Sequence, residues 1–400
     1  MRYVLFSLIF VFACADELPS TLLSDSKQKE LRYEDEKVDA ESSILRDSWL
    51  NPITGSYSGS FKDQFGQEQE SYTTQIGIDQ PIFKSGGIYF AIKYANATAH
   101  YNKLGIQMKT KTVIKETMAL MLSLRKMDVE IQKLELLYKD ATETFQYNKQ
   151  QLSAGEVDQA TVNINEITKN ALHMNLLDLE NQRDGLLHQL FIFSDADYKT
   201  IKLPKLTLVE KENFLKQNME LKQSLAKNRQ NEYYKKVTIS NYLPAVSIQA
   251  SYVVSESFNQ TFSENSFVFD AVSEYFNYGF RISMPIFDVN ILRNIESAKV
   301  DHLKATVEVT AKQKEMAHFY QMVVAKVKRI NQKISIAKDN LLLYDKVLLN
   351  TKASFEAGDR SSLDLSKSRN ELMTKRFDIK IYEFDKQIEL LSLYEKMGGA

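Results

Sequence analysis

Between Leu120 and Phe145 the apolar residues fall at Leu120, Leu124, Met127, Ile131, Leu134, Tyr138, Ala141 and Phe145, alternately four and three apart. That is an unbroken heptad stripe, the signature of a helix lying along other helices as a coiled coil. The stripe recurs at Val323, Val327, Ile330, Ile334, Ala337, Leu341, Tyr344 and Leu348, each position 203 residues further on. Two stripes in one register mark an internal duplication.

Around the stripes the period changes from helical to extended. A polar, helix-prone segment from Ser26 to Asp47 ends at Trp49-Leu50-Asn51-Pro52. Strict alternation follows, with Ile53, Gly55, Tyr57, Gly59 and Phe61 on one face and Thr54, Ser56, Ser58, Ser60 and Lys62 on the other. After a turn at Gln64-Phe65-Gly66-Gln67, Tyr72, Thr74, Ile76 and Ile78 alternate with Thr73, Gln75, Gly77 and Asp79. These runs predict a hairpin of two strands of about ten residues each. Gln80-Pro81-Ile82-Phe83-Lys84-Ser85-Gly86-Gly87 is expected to stop the second strand.

Helical patterning then runs to Leu152, on the order of 100 Å at about 1.5 Å per residue. Ser153-Ala154-Gly155 reads as a C-cap turn and Asp158 as the N-cap of a return helix over 158–193. Lys202 to Leu208 is expected to form a short strand, and 211–239 a polar helix ending at Tyr242-Leu243-Pro244, which echoes Leu50-Asn51-Pro52. Val246, Ile248, Ala250, Tyr252 and Val254 then alternate with polar positions, as do Phe276, Tyr278, Phe280, Ile282 and Met284 beyond a longer loop at 256–273. Met284-Pro285-Ile286-Phe287 repeats Gln80-Pro81-Ile82-Phe83 at a shift of 204. The second long helix, from Asn290 to Phe355, turns at Ala357-Gly358, and its return helix carries Ile381, Phe384, Ile388 and Leu391.

The four alternating runs bear on solvent. Their polar faces are Ser, Thr, Gln and Gly, and the aromatics Tyr57, Phe61, Tyr72, Tyr252, Phe276 and Tyr278 sit where an interfacial girdle belongs. A half-buried sheet in a soluble sandwich alternates too, but would not need strands of bilayer-spanning length. In lipid every backbone group must be paired, so spanning strands close into a barrel. Four strands are too few for that, since barrels begin at about eight. A shared barrel, and therefore a homo-oligomer, follows. One strand face would then line a pore, which the helices would continue as a tunnel.

Composition agrees. With 26% charged and 44% hydrophobic residues the chain is ordinary for an ordered protein. A formal charge of −1 gives no basic field for nucleic acid. After the N-terminus no run reaches the roughly 18–20 apolar residues of a membrane-spanning helix. Arg2 followed by Val4–Ala13 reads as an export signal. Two processing routes compete: cleavage at Ala13-Cys14-Ala15, or a lipobox-like Val11-Phe12-Ala13-Cys14 that would leave Cys14 lipidated. Cys14 is the only cysteine, so no intramolecular disulfide is expected. The histidines at 100, 173, 188, 302 and 318 lack ligand spacing, and no metal, phosphate-loop or nucleophile motif stands out. No enzyme and no cofactor are expected. The lone sequon Asn259-Gln260-Thr261 reads as chance.

The duplicated strand-hairpin and helix-hairpin plan resembles the TolC-type outer-membrane efflux proteins (outer membrane factors) over essentially the whole mature length. Four features carry the resemblance: that plan, Pro81-Ile82-Phe83 and Pro285-Ile286-Phe287, the Pro elements before each strand pair, and the tips Ala154-Gly155 and Ala357-Gly358. It implies a mostly α membrane protein of the α+β class, a homotrimer with a shared β-barrel and a periplasmic helical barrel. The implied division is a signal over 1–15, an equatorial N-terminal helix over 16–52, a transmembrane β-hairpin over 53–82 and a periplasmic helical hairpin over 84–194. An equatorial linker and helix over 195–244, a second β-hairpin over 245–286, a second helical hairpin over 288–395 and a tail over 396–400 complete it.

The resemblance also implies partners and sites. It implies an outer-membrane location with the helices in the periplasm. There the tunnel docks, through an adaptor, an inner-membrane transporter of the resistance-nodulation-division or ABC type. Arg360, two after Gly358, and Asp364, six after it, match positions where the family often has a gating Arg and an acidic-ring Asp. Equally compatible with the residues is a plain helix cap, in which Ser361 or Ser362 starts the return helix and Asp364 favours its N-terminus. The pattern departs from the family at Thr161, six after Gly155, and at Lys367, so a less acidic entrance with a different latch is expected unless Asp158 or Glu156 substitutes. Gly155 and Gly358 with Leu152, Ser153, Ala154, Phe355, Glu356 and Ala357 are the implied adaptor contacts. A periplasmic adaptor and a poreless coiled-coil scaffold are the competing functions. An adaptor would carry one helical hairpin between two half-lipoyl segments, where this chain has a duplicated strand-plus-helix unit.

Overall fold

The alternating runs pair as their periodicity requires. A computed structural model describes residues 20–64, 67–261 and 269–398, in which the polar helix α1 (Asp25–Asp47) is followed by β1 (Thr54–Gln64), and β1, β2 (Gln67–Phe83), β3 (Ala245–Thr261) and β4 (Phe269–Ser283) form one antiparallel sheet in that order. The signal segment with Cys14, the Phe65-Gly66 turn and residues 262–268 lie outside the described residues, while 256–261 and 269–273, expected as loop, extend β3 and β4 because they pair with each other. The chain divides into two compact units.

One unit comprises Glu34–Gly105 and Lys222–Lys312 and holds the sheet. Its strands are longer than the sequence suggested, 17 residues each in β2 and β3. Strand β2 does not stop at Gln80 but runs through Pro81 to Phe83, with a register shift between Pro81 and Phe83. Proline is tolerated there because β1 pairs no further than Gly77, so Pro81 has a neighbour on one side only and sits at a bulge. Gln80 ties the lead-in of the first hairpin to β2: its Oε1 accepts from Asn51 N at 3.0 Å, and its Nε2 donates to Trp49 O at 3.1 Å. Where β2 hands over to the next helix, Gly87 lies so near the end of α5 (Met219–Ser240) that a Cβ would meet Ser240 Oγ at 2.7 Å.

The other unit comprises Met1–Tyr33, Ile106–Leu221 and Gln313–Ala400. Long helices dominate it: α3 (Gln159–Phe193), α7 (Ser362–Glu395) and the greater parts of α2 (Gly87–Ser153) and α6 (Ile291–Glu356), whose first turns belong to the sheet unit. The heptad stripe does what its spacing predicts. From Lys326 to Asn350 the only positions that are not exposed are Val327, Ile330, Ile334, Ala337, Leu341, Tyr344 and Leu348. Helices α2 and α7 run antiparallel, pinned by Lys126–Asp385 and Lys133–Asp378, both 2.7 Å, and by Asn370 Nδ2 donating to Asp140 at 2.6 Å. Helix α3 flanks α2, with Tyr138 stacked on His173, and α6 flanks α7, with Ser368 bonded to Thr351. The contacts therefore run α3–α2–α7–α6.

Below the hairpins one core joins Leu22 and Leu23, Met118, Met121 and Leu124 of α2, Leu190, Phe214, Val323 of α6, and Leu390, Leu391 and Leu393. Tyr198 joins it with its hydroxyl donating to Asp128 at 2.9 Å; burial and that carboxylate push the phenol up to about 12. Two expectations fail here. Lys202 to Leu208 is extended but is not a strand, because side chains replace the ladder: Gln387 bonds both the N–H and C=O of Leu206, at 2.8 and 3.2 Å. The 211–239 helix is broken into α4 (Lys211–Gln217) and α5 (Met219–Ser240). The break lets Gln217 and Met219 exchange backbone bonds with Gly398 and Lys396, both 2.8 Å, while Asn218 Oδ1 accepts from Leu221 N and starts α5.

Candidate functional site

Two places carry chemistry beyond packing: the faces of the sheet and the turns of the helical hairpins. Register assigns every strand residue to a face. Gly55, Tyr57 and Gly59 oppose Ile76, Thr74 and Tyr72; Ile76 and Ile78 oppose Tyr252 and Ala250; these in turn oppose Phe276 and Tyr278. One face is thus apolar across all four strands, as the alternation predicted. It has no cover: Tyr278 is 82% and Phe280 74% exposed, and Tyr57, Phe61, Ile76 and Ile282 are exposed beside them. An apolar surface this continuous marks contact with a membrane or another chain.

The face has an end that sequence reading passed over. Asp63, Glu70, Glu256 and Glu274 lie on the apolar side toward the hairpin-turn end of the sheet. Tyr72 and Tyr252 donate their hydroxyls to Glu70 and Glu274, at 3.2 and 3.0 Å. Face parity alone would have located these acids. Between the lead-in segments and the acids, Val246 to Val254 spans about 27 Å at about 3.4 Å per residue, comparable with the roughly 25 Å apolar band of an outer-membrane barrel. The opposite face carries Ser58, Thr73, Gln75, Ser251 and Asn277. Near its other end Asp79 accepts from Gln249 Nε2 at 2.7 Å and pairs with Arg281 at 3.4 Å.

The outer edges of β1 and β4 have no strand partner among the described residues. A matching asymmetry appears in the helices. Exposed large apolar side chains lie on the flanking helices, Ile164, Ile167 and Met174 of α3 and Ile336, Leu342, Leu343 and Leu349 of α6, and none lies on α7.

Both hairpin turns share one construction. Glu156 N donates to Gln151 O at 2.9 Å and Gly155 N to Leu152 O at 3.0 Å; 203 residues on, Asp359 N donates to Ser354 O at 2.8 Å and Gly358 N to Phe355 O at 3.0 Å. This paired closure needs a left-handed residue, and Gly155 (φ 77°) and Gly358 (φ 84°) supply it. Three residues past each glycine comes the N-cap of the return helix. Asp158 accepts from Thr161 N at 2.9 Å and Thr161 Oγ1 at 2.6 Å. Ser361 accepts from Asp364 N at 3.2 Å, and the Asp364 carboxylate accepts from Ser361 N at 3.1 Å. The two turns have swapped their acid and hydroxyl. The acid missing at Thr161 therefore stands three residues earlier, at Asp158.

Asp364 is thus the capping-box acid. Its carboxyl is held below the usual range by the Ser361 hydroxyl first, then by the Ser361 N–H, with Arg360 and Lys367 adding a smaller pull. Thr161 hydroxyl and N–H lower Asp158 in the same way. Arg360 is exposed, as are Ser153, Ala154, Phe355 and Ala357. Ser361→Ala should cost about 1 kcal/mol locally, seen as faster amide exchange at Ser362 to Asp364 and unchanged exchange at the other turn. Because both acids titrate lower folded than unfolded, the caps are fully formed above the ordinary carboxylate pKa of about 3.9 and are lost as pH falls through the folded values. Exchange protection at both turns should therefore be flat from pH 7 to 5 and collapse only below about 4.

Burial pushes Asp140 up against the lowering hydrogen bond from Asn370, with Glu143 raising it further. Here the α2–α7 seam is polar: Ser366 bonds Glu143 at 2.9 Å, and Ser368, Asn370 and Thr374 are buried. No cluster among the described residues could hold a metal ion. No described helix is long and apolar enough to cross a membrane.

Residues 212–399 match the model of the family described as outer membrane efflux protein. The fold is similar to the CmeC outer membrane channel of Campylobacter jejuni, with a TM-score of 0.75 at 16% identity over 95% of this chain and 84% of that one. VceC of Vibrio cholerae gives 0.73 at 11% identity, over 95% of each chain. The open state of the MtrE outer membrane channel of Neisseria gonorrhoeae gives 0.67 at 13%, over 96% of this chain and 88% of that one. No curated protein matches in sequence. The family match covers the second repeat, the first repeat has the same elements in the same order, and the fold is shared almost end to end. By this match residues 212–399 carry the pattern of the outer membrane efflux protein family, and the chain as a whole has the fold of the outer-membrane channels it resembles.

Proposed function

We propose that this chain is the passive outer-membrane exit duct of a tripartite efflux or type I secretion system, working as a homotrimer. Its barrel would lie in the outer membrane of a Gram-negative cell and its helical hairpins in the periplasm. The observation that carries the reading is the sheet itself, apolar and uncovered on one face, polar on the other, unpaired at both edges. Three copies bring twelve strands, and the alternation β1 to β4 continues antiparallel from one copy to the next, leaving no open edge. The uncovered apolar residues of α3 and α6 would likewise be covered by contact between copies. Neither an adaptor nor a poreless scaffold has a use for such a face.

The hairpin turns are the proposed entrance. Ser153, Ala154, Gly155, Phe355, Ala357 and Gly358 form exposed knobs, and space around both glycines is open, which suits contact with an adaptor. Asp158 and Asp364 place one carboxylate at each return helix, six around a trimer axis, a field that attracts cations. Arg360 beside Asp364 is the proposed latch. Near the turns the α2–α7 seam is the polar stretch from Ser366 to Thr374, which separates at less cost than the apolar seam beyond Phe377. Purified protein in planar bilayers should conduct. Arg360→Ala or Asp364→Ala should raise the single-channel conductance or change its block by divalent cations. Unchanged conductance and block in both would remove the gating assignment.

A further inference from the structure

The duplication relates strands as well as helices, and the register within the chain fixes the relation. The Pro-Ile-Phe motif carries β2 onto β4 by 204 residues, Pro81 to Pro285. The pairs Gly55↔Ile76, Tyr57↔Thr74 and Gly59↔Tyr72 then fall on the observed Ile248↔Phe280, Ala250↔Tyr278 and Tyr252↔Phe276 only if β1 moves onto β3 by 193. Two acidic positions fit it as well: 193 takes Asp63 to Glu256, and 204 takes Glu70 to Glu274. One operation thus superposes strand pairing, motif and acidic positions.

The contact between the repeats, β2 against β3, is the one contact this operation leaves without a counterpart inside the chain. Its image is β4 against β1 of another copy. We infer that the seam between copies repeats the β2–β3 register, with Gly279 opposite Ser60, Phe280 opposite Gly59 and Arg281 opposite Ser58 of the next copy. These are the images of Gln75↔Val253, Ile76↔Tyr252 and Gly77↔Ser251. Apolar faces apolar and polar faces polar across the seam.

A second observation agrees. In the first repeat Pro81 and Phe83 belong to β2 because Ser247 and Val246 pair with them. In the second, Pro285 to Phe287 lie outside β4, with Ile286 91% and Phe287 86% exposed. Their missing partners are Thr54 and Ile53 of the next copy, and Ile53 is itself exposed. In the assembly β4 extends to Phe287 with the bulge that β2 already shows.

The register rests on the oligomeric reading above, and cysteine pairing separates the two. Directly opposed residues have Cα atoms about 4.5–5.5 Å apart, within disulfide reach, whereas partners two residues off stand about 7–8 Å apart and do not bridge. Gly279→Cys accepts a side chain freely, as nothing lies within 4 Å of its Cβ position. It is combined in turn with Ser60→Cys, Ser58→Cys and Lys62→Cys and oxidised in isolated membranes, against the parent chain with its single Cys14 as background. The in-chain image, Gln75→Cys with Val253→Cys, reports formed strands. Covalent dimers and trimers on a denaturing gel are expected from the Ser60 pair, at least tenfold more than from the other two. Stronger linking through Ser58 or Lys62 would overturn the register and keep the oligomer. Closure of the in-chain pair with no intermolecular link from any of the three would overturn both.

Discussion

Phe280→Arg should leave almost no assembled protein in the membrane. The ring is 74% exposed in the chain, so its removal costs next to no packing within the fold. In lipid the outcome is different, because a guanidinium near the middle of the apolar band costs roughly 2–4 kcal/mol. Three copies pay that together, so the assembly equilibrium falls by several powers of ten. Asn277→Arg is the matched control. It sits three residues away on the polar face, where a charge meets water, and should assemble normally. The readout is the fraction of chain recovered as heat-resistant oligomer from membranes. Equal recovery of both variants would mean that the apolar face does not touch lipid.

Phe214→Ala should produce the largest loss of stability of any single truncation near the hairpin bases. Its side chain is fully buried and packs against Phe319 and Tyr320, with ring centroids 6.4 and 5.5 Å away. Truncating a buried Phe costs about 3–5 kcal/mol, the sum of lost transfer energy and a cavity that relaxes only partly. Phe355→Ala removes the same atoms from an exposed turn and should lie within about 0.5 kcal/mol of the parent. Helical circular dichroism during denaturant unfolding in detergent checks both. A loss at Phe214 below about 1 kcal/mol would mean that the strap carrying it is not docked on α6.

Local periodicity carried most of the fold. The heptad stripe foretold which positions of α6 are covered, and the alternation foretold which face of each strand is apolar. Both follow from backbone geometry alone. The elements that were misread depend on partners far away in sequence. Strand β2 passes Pro81 because β3 lies beside it, and the 211–239 helix breaks at Asn218 because Lys396 and Gly398 take its backbone groups. Lys202 to Leu208 has the composition of a strand, but the amide of Gln387 pairs with it where a strand would.

The site was legible to a similar depth. Gly155, Gly358 and Asp158 could be placed from turn chemistry, since only a left-handed residue closes such a turn and only a short acceptor caps the next helix. Asp364 carried two readings that sequence could not separate, and the structure commits its carboxylate to the Ser361 cap without removing its charge from the turn. The departure at Thr161 becomes intelligible once Asp158 is seen bonding it. What no single-chain pattern reveals is the seam, because its two sides belong to different copies.

In the proposed assembly several copies pool their strands into one closed wall. The protein mass of the particle extracted from membranes in mild detergent, read by native mass spectrometry, tests it most directly. Three times the mass of the processed chain is the result the account requires. A particle of one chain mass, stable and still binding detergent on its sheet face, would contradict it.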